Sequence, residues 1–178
     1  KFTYSTGCRR AESMQLLKEV VNYEPKRKMV TIIDEDGKEQ EVESVSYKTH
    51  EIRCKGRSTA GKVRKLQFGQ DVMDALKKWL EIRGDDDCPY MFVVKQKNGE
   101  TRQVGDSVFN DWCIGEFSEI VGRRTTPHNF RRSRATNLVC YDHRALETAQ
   151  KLLGHESSET TQMYVIREDS EDADEAFI

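Results

Sequence analysis

Four short stretches of this chain hold residue types that could do chemistry. The first is His128-Asn129-Phe130-Arg131, preceded by Thr126-Pro127. Thr as an N-cap and Pro at the first helical position predict a helix start there. Residues three apart share a helix face, so His128 and Arg131 point the same way. The unpaired N–H groups and dipole of a first turn favour an anion. A guanidinium forks onto two phosphate oxygens at once, so an imidazole and a guanidinium on that face make a phosphate cradle. Arg132 and Arg134 add local positive charge. By itself the stretch also fits a solvated basic helix.

The second stretch is Leu152-Leu153-Gly154-His155, with Tyr164 nine residues after the histidine. A lone His or Tyr is ordinarily a packing or surface residue. In the third, Thr6-Gly7 lead to Arg9 at a helix start, with Glu12 three residues on. Read alone, Arg9 is a salt-bridged surface residue. The fourth is a hairpin over residues 50–68, whose GRSTAG loop lies between Lys55 and Lys62. A lysine near a hairpin tip is normally solvated charge; beside an active site it could donate a proton or contact a DNA base.

These residues need elements to hold them. Residues 9–22 carry Met14, Leu17, Val20 and Val21 at helical spacing. Residues 28–33 read as a strand and 34–38 as a turn; residues 39–54 are polar and β-branched with weak alternation. Residues 70–83 place Val72, Leu76, Trp79 and Leu80 on one helix face, and Gly84 stops that helix. Residues 90–94 form a short buried segment. Residues 105–121 carry Val108, Trp112, Phe117 and Ile120 at roughly helical spacing, and helices follow over about 127–140 and 144–153. The expected fold class is α+β: mostly helical, with one small antiparallel sheet at its edge.

Composition bounds the partners. The 178 residues carry a net charge of -2. That value hides an asymmetry: residues 168–178 hold six acidic residues and no basic one, which leaves 29 basic against 25 acidic in residues 1–167. A mildly basic body followed by an acidic tail permits a polyanionic partner. No apolar run approaches a membrane span. The five cysteines show no zinc-ligand spacing, and they read as free thiols of a reducing compartment. Lys1 is not an initiator Met, so the chain reads as an excised fragment.

Taken in order, TGxRxxE, a hairpin lysine, HxxR, LLGH and a tyrosine nine residues further on resemble the catalytic domain of the tyrosine recombinases, the phage integrase family. The resemblance runs from about Thr6 to Val165. It implies the DNA breaking-rejoining fold over residues 1–165, without the family's N-terminal core-binding domain, and an acidic tail over 166–178. It implies Arg9, Lys55, His128, Arg131, His155 and Tyr164 as catalytic residues, with Lys62 as the alternative lysine and Tyr141 as the next candidate nucleophile. The segment between Glu24 and His50 is longer and more acidic than the family's compact strand pair.

The same resemblance implies a reaction. Tyrosine has a pKa near 10, so only about one in a thousand is phenolate at pH 7. Tyr164 would attack a DNA phosphodiester to give a 3′-phosphotyrosine and a free 5′-hydroxyl. Arg9 and Arg131 would neutralise the non-bridging oxygens, with His155 as a further donor. Lys55 would protonate the leaving oxygen, and His128 would assist proton removal from Tyr164. One phosphodiester replaces another, so the reaction needs no nucleotide cofactor; the cluster offers cationic donors and no carboxylate cage, so it requires no catalytic metal. Partners would be double-stranded DNA and further protomers in a tetramer, with no membrane and no small-molecule substrate. The setting would be cytoplasmic, on a bacterial nucleoid, in a phage or other mobile element. A type IB topoisomerase or telomere resolvase shares the chemistry, and a non-catalytic DNA-binding regulator is the alternative from another class. The tail ends in Ala176-Phe177-Ile178, an apolar tip that would dock on a neighbouring subunit or remain solvated.

Overall fold

A computed structural model of the chain describes residues 1–34, 36–54, 62–155 and 158–162. Helix α1 (Phe2–Thr6) and helix α2 (Arg10–Met14) are joined by a turn at Gly7. Strands β1 (Lys26–Ile33) and β2 (Glu39–Lys48) form a long antiparallel ribbon. The root of β2 pairs with β5 (Gln67–Gly69), giving the sheet order β1-β2-β5. Strands β3 (Ile52–Cys54) and β4 (Lys62–Arg64) pair separately, as do β6 (Val93–Lys95) and β7 (Thr101–Gln103). Helix α3 (Gln70–Arg83) follows the sheet. The second half of the chain adds α4 (Asp106–Trp112), α5 (Ser118–Val121), α6 (Pro127–Thr136), α7 (Leu146–Leu153) and α8 (Ser158–Gln162). The α+β class expected from the sequence is what the chain adopts, but the described residues form three small antiparallel sheets where one was expected, because β3–β4 and β6–β7 pair only with each other.

Local signals account for most of these elements. Val72, Met73 and Leu76 bury one face of α3 against Phe68, Tyr47 and Phe2. Each such side chain contributes about 1.5–3 kcal/mol on burial. Gly84, at φ 71°, closes the helix with its N–H on the Leu80 carbonyl. Thr126 and Pro127 start α6 as expected: Thr126 accepts the first-turn backbone, and the Asn129 side chain accepts the Thr126 N–H at 2.8 Å. All five cysteines are free thiols.

Two further expectations are corrected. The helix expected over 9–22 ends at Met14. Beyond it, the Lys18 N–H reaches the Pro89 carbonyl at 2.8 Å and the Leu16 carbonyl receives the Met91 N–H at 2.6 Å. Bridges Leu17–Tyr90 and Val21–Thr49 complete the pairing. Backbone partners from distant segments thus override the local periodicity. The helix expected over 105–121 forms, but its middle turn, Cys113–Phe117, is a wider π turn. That turn shifts the helix face: Cys113 is buried, while Phe117, Ile120 and Val121 lie exposed. The Phe117 ring meets Phe130 of α6 edge to face, with centroids 5.6 Å apart. Among the described residues no helix is long and apolar enough to cross a membrane.

Candidate anion-binding active site

The turn between α1 and α2 brings the first arginine into place. Gly7 adopts φ 57°, a left-handed conformation that suits glycine. A Cβ there would also collide with the Leu153 side chain, so this turn packs directly against the end of α7. Arg9 then serves as N-cap of α2. The Glu12 carboxylate accepts the Arg9 backbone N–H at 2.8 Å and pairs with its guanidinium at 3.2 Å. The Arg9 side chain stays 41% exposed, whereas that of Glu12 is only 3% exposed.

Arg131 is the largest fully buried side chain of the molecule's described part. It lies on α6 and donates to the carbonyls of Gly7, at 2.5 Å, and Leu153, at 2.7 Å. Those bonds fix its guanidinium between the Gly7 turn and the end of α7. Arg9, His128 and Arg131 line one cavity of about 330 Å³, together with Arg10, Asn110 and the Thr126-Pro127 helix start. Arg9 arrives from a segment far in sequence from α6, which carries both His128 and Arg131.

His155 follows Gly154, which caps α7 at φ 66°. Its ring is buried, and Nδ1 lies 2.9 Å from the Thr161 hydroxyl of α8. Burial, and then the charges of Arg131, Arg9 and Arg64, push its pKa down to about 4. His128 is lowered by burial and by Arg131, Arg132 and Arg9. Both imidazoles are therefore biased toward the neutral form. Burial pushes Glu12 upward, but the Arg64 charge and the Arg9 N–H outweigh it and hold the carboxyl below its usual range.

The sequence expectations divide as follows. Arg9, His128 and Arg131 share a cavity, and His155 sits within the field of the same arginines. Lys55, Tyr164 and the acidic tail lie outside the described residues, as does the Lys62 side chain. Tyr141 is exposed. Arg64 was not anticipated: its guanidinium binds Glu12 at 2.5 Å and the Leu153 carbonyl at 2.7 Å. A signal for it existed. In the sequence, Arg64, Leu66 and Phe68 stand at alternate positions, the spacing of one strand face, and the latter two are buried. Among the described residues no group of three His, Cys, Asp or Glu side chains could hold a metal ion.

Comparison with known proteins identifies the fold and the family. The crystal structure of XerA recombinase superimposes with a TM-score of 0.64 at 23% identity, over 95% of this chain and 52% of that one. The Tn1549 transposon integrase in complex with a circular intermediate DNA gives 0.59 at 16% identity, over 99% of this chain and 56% of that one. The fold is thus that of the tyrosine recombinases. The model of the phage integrase family matches residues 1–171, and the chain belongs to that family. The SPbeta prophage-derived recombinase-like protein YomM of Bacillus subtilis is 29% identical over 98% of this chain and 48% of its own length. Tyrosine recombinase XerC of Vibrio vulnificus is 32% identical over 70% of this chain and 38% of its own length. The chain spans less than half the length of these relatives.

Proposed function

We propose that this chain is the DNA-cutting portion of a site-specific recombinase that acts through a covalent 3′-phosphotyrosine. The observation that carries the reading is the convergence of Arg9, His128 and Arg131 on one cavity. In this reading the two guanidiniums neutralise the phosphate oxygens in the transition state. His128, held toward its neutral form, accepts the Tyr164 proton as the tyrosine oxygen attacks phosphorus. The bond to the 5′-oxygen breaks, and Lys55 delivers the proton to that leaving oxygen. His155, uncharged near pH 7, contributes a hydrogen bond without a further charge. The free 5′-hydroxyl of another strand reverses the step. The substrate is double-stranded DNA, and exchange between two duplexes requires further protomers. The Tn1549 neighbour bound to a circular intermediate and the prophage relative favour mobile DNA as the setting. Such DNA would be met in the cytoplasm, on the nucleoid.

A nicked duplex tests this. The duplex is first selected from a random library by binding to the chain, then nicked near the cut so that the cleaved end diffuses away. The expected result is a denaturation-resistant adduct on Tyr164, absent in Tyr164→Phe, with DNA affinity within about threefold of the wild type because phosphate contacts come from Arg and Lys. An adduct on Tyr141 would move the nucleophile. Specific binding with no adduct would favour the non-catalytic regulator, and relaxation of one duplex without exchange would favour the topoisomerase.

A further inference from the structure

Arg64 ends strand β4. Its neighbour Val63 is 56% exposed, so the strand turns its arginine inward and its apolar residue outward. The Arg64 side chain is 11% exposed and its guanidinium meets three pieces of backbone or side chain. Nη2 lies 2.5 Å from Glu12 Oε2. Nη1 donates to the carbonyls of Leu152 at 3.1 Å and Leu153 at 2.7 Å. A Cβ on Gly154 would stand 2.8 Å from that same nitrogen, so the residue before His155 is shaped around the arginine. The Leu153 carbonyl also receives Arg131, again at 2.7 Å. One carbonyl at the negative end of α7 therefore fixes two guanidiniums relative to each other.

Charge gives this clamp a purpose. Glu12 is a buried carboxylate and must keep a counter-ion. Arg64 approaches it more closely than Arg9 does, at 2.5 against 3.2 Å. Without Arg64, the carboxylate would bind the Arg9 guanidinium in full and draw it out of the cavity. Arg64 itself does not line that cavity.

We infer that Arg64 is a positioning residue of the active site: it satisfies Glu12 and holds the His155 turn, which leaves Arg9 turned toward the anion. The inference rests on the recombinase reading for its catalytic meaning, and on geometry alone for its effect on anion binding. The mechanism predicts rescue. If Arg64 acts by satisfying Glu12, neutralising Glu12 restores what the loss of Arg64 removes.

The test titrates inorganic phosphate into the full 178-residue chain at low ionic strength by calorimetry. It compares wild type, Arg64→Met, Arg64→Lys and the double variant Arg64→Met/Glu12→Gln. Imidazole NMR of His155 and the thermal midpoint are recorded for each. The expected result is about a tenfold loss of phosphate affinity in Arg64→Met, the scale of one charge-assisted hydrogen bond. The double variant should recover to within about threefold of wild type. Arg64→Lys keeps the charge and cannot reach Glu12 and the two carbonyls together; it should hold most of the affinity while shifting the His155 resonances. If Arg64→Met fails to fold, the lysine and double variants decide. A lower midpoint with unchanged phosphate affinity and unchanged His155 resonances would make Arg64 a brace for the hairpin and overturn the inference. So would failure of Glu12→Gln to restore affinity in a folded double variant. A wild-type chain that binds phosphate in this pattern and never forms a DNA adduct would overturn the recombinase reading and leave the positioning role standing. Wild-type adduct formation together with equal phosphate affinity in every variant would overturn the positioning role alone.

Discussion

This molecule has two buried arginine centres. At one, Arg83 is 4% exposed at the end of α3. It grips both oxygens of Asp86 and donates to the carbonyls of Cys88, Tyr90 and Met91. At the other, Arg131 and Arg64 bind carbonyls of Gly7, Leu152 and Leu153 in much the same manner. The hydrogen bonding is alike and the charge balance is not. Arg83 has a carboxylate of its own, which it drives down to about 2. The second centre sets Arg9, Arg64 and Arg131 against Glu12 alone, among the described residues within ion-pair distance. A neutral clasp closes the loop after α3. At the second centre, among the described residues, one carboxylate faces three arginines beside a cavity. Charge balance among the described residues, rather than burial, separates the two centres.

The sharpest way to break this comparison is to change one arginine at each centre. Arg131→Lys keeps the charge but cannot span the Gly7 and Leu153 carbonyls. Initial rates of covalent adduct formation should fall by about a hundredfold to a thousandfold, as for loss of one transition-state donor. Arg83→Ala leaves Asp86 without its partner, and urea titration should show a loss of about 3–5 kcal/mol, the range for breaking a buried pair. Phosphate affinity of the folded Arg83→Ala protein should match wild type. A phosphate defect there, with the fold intact, would erase the distinction.

Acid should dismantle the two centres in order. His155 has a folded pKa of about 4, below its unfolded value, and His128 is lowered in the same direction. As pH falls below about 6.5, the unfolded chain takes up protons that the native site refuses, so stability declines from there toward pH 4. His155→Gln should flatten that slope. Asp86 works in a lower window. Its carboxylate contributes above the unfolded value of 3.8 and is lost as pH falls through about 2. Stability curves against pH for wild type, His155→Gln and Asp86→Asn would separate the two. A His155→Gln curve with the wild-type slope between pH 6.5 and 4 would contradict the assignment. The smallest effect is reserved for a third arginine. Arg27 pairs with Glu43 at 2.6 Å, yet their side chains are 60% and 47% exposed. Arg27→Ala should alter stability by less than about 0.5 kcal/mol in the same urea titration.

Much of the site was legible before its geometry was known. Thr126-Pro127 announced the start of α6, and the three-residue step from His128 placed Arg131 on the same helix. What the sequence could not reveal was the depth of Arg131, because its burial depends on carbonyls contributed by Gly7 and Leu153. Arg64 was missed for a related reason. Its contacts are with residues 52 and 89 positions away, which no local spacing reveals. The fold was read well where one face met one core, as in α3. It was misread at Leu16–Val21, where backbone pairing with distant strands replaced a helix, and at Phe117–Val121, where a π turn rotated apolar residues outward.

The β1–β2 ribbon has a consequence for how this chain can vary in length. Only its root is tied down, through Ser46–Gly69, Tyr47–Phe68 and Lys48–Gln67. Beyond that root the register sets Met29, Thr31 and Ile33 opposite Glu43, Glu41 and Glu39, while Val30 and Ile32 oppose Val42 and Gln40. One surface of the ribbon therefore carries the three glutamates and the other carries none of them. Because side chains alternate strictly along a strand, removing one residue from each arm would exchange the two surfaces from that point outward. Removing two would restore them. Insertions and deletions compatible with this charge pattern come in steps of two per strand. The ribbon is thus an appendage with a built-in reading frame, whose length changes in paired steps.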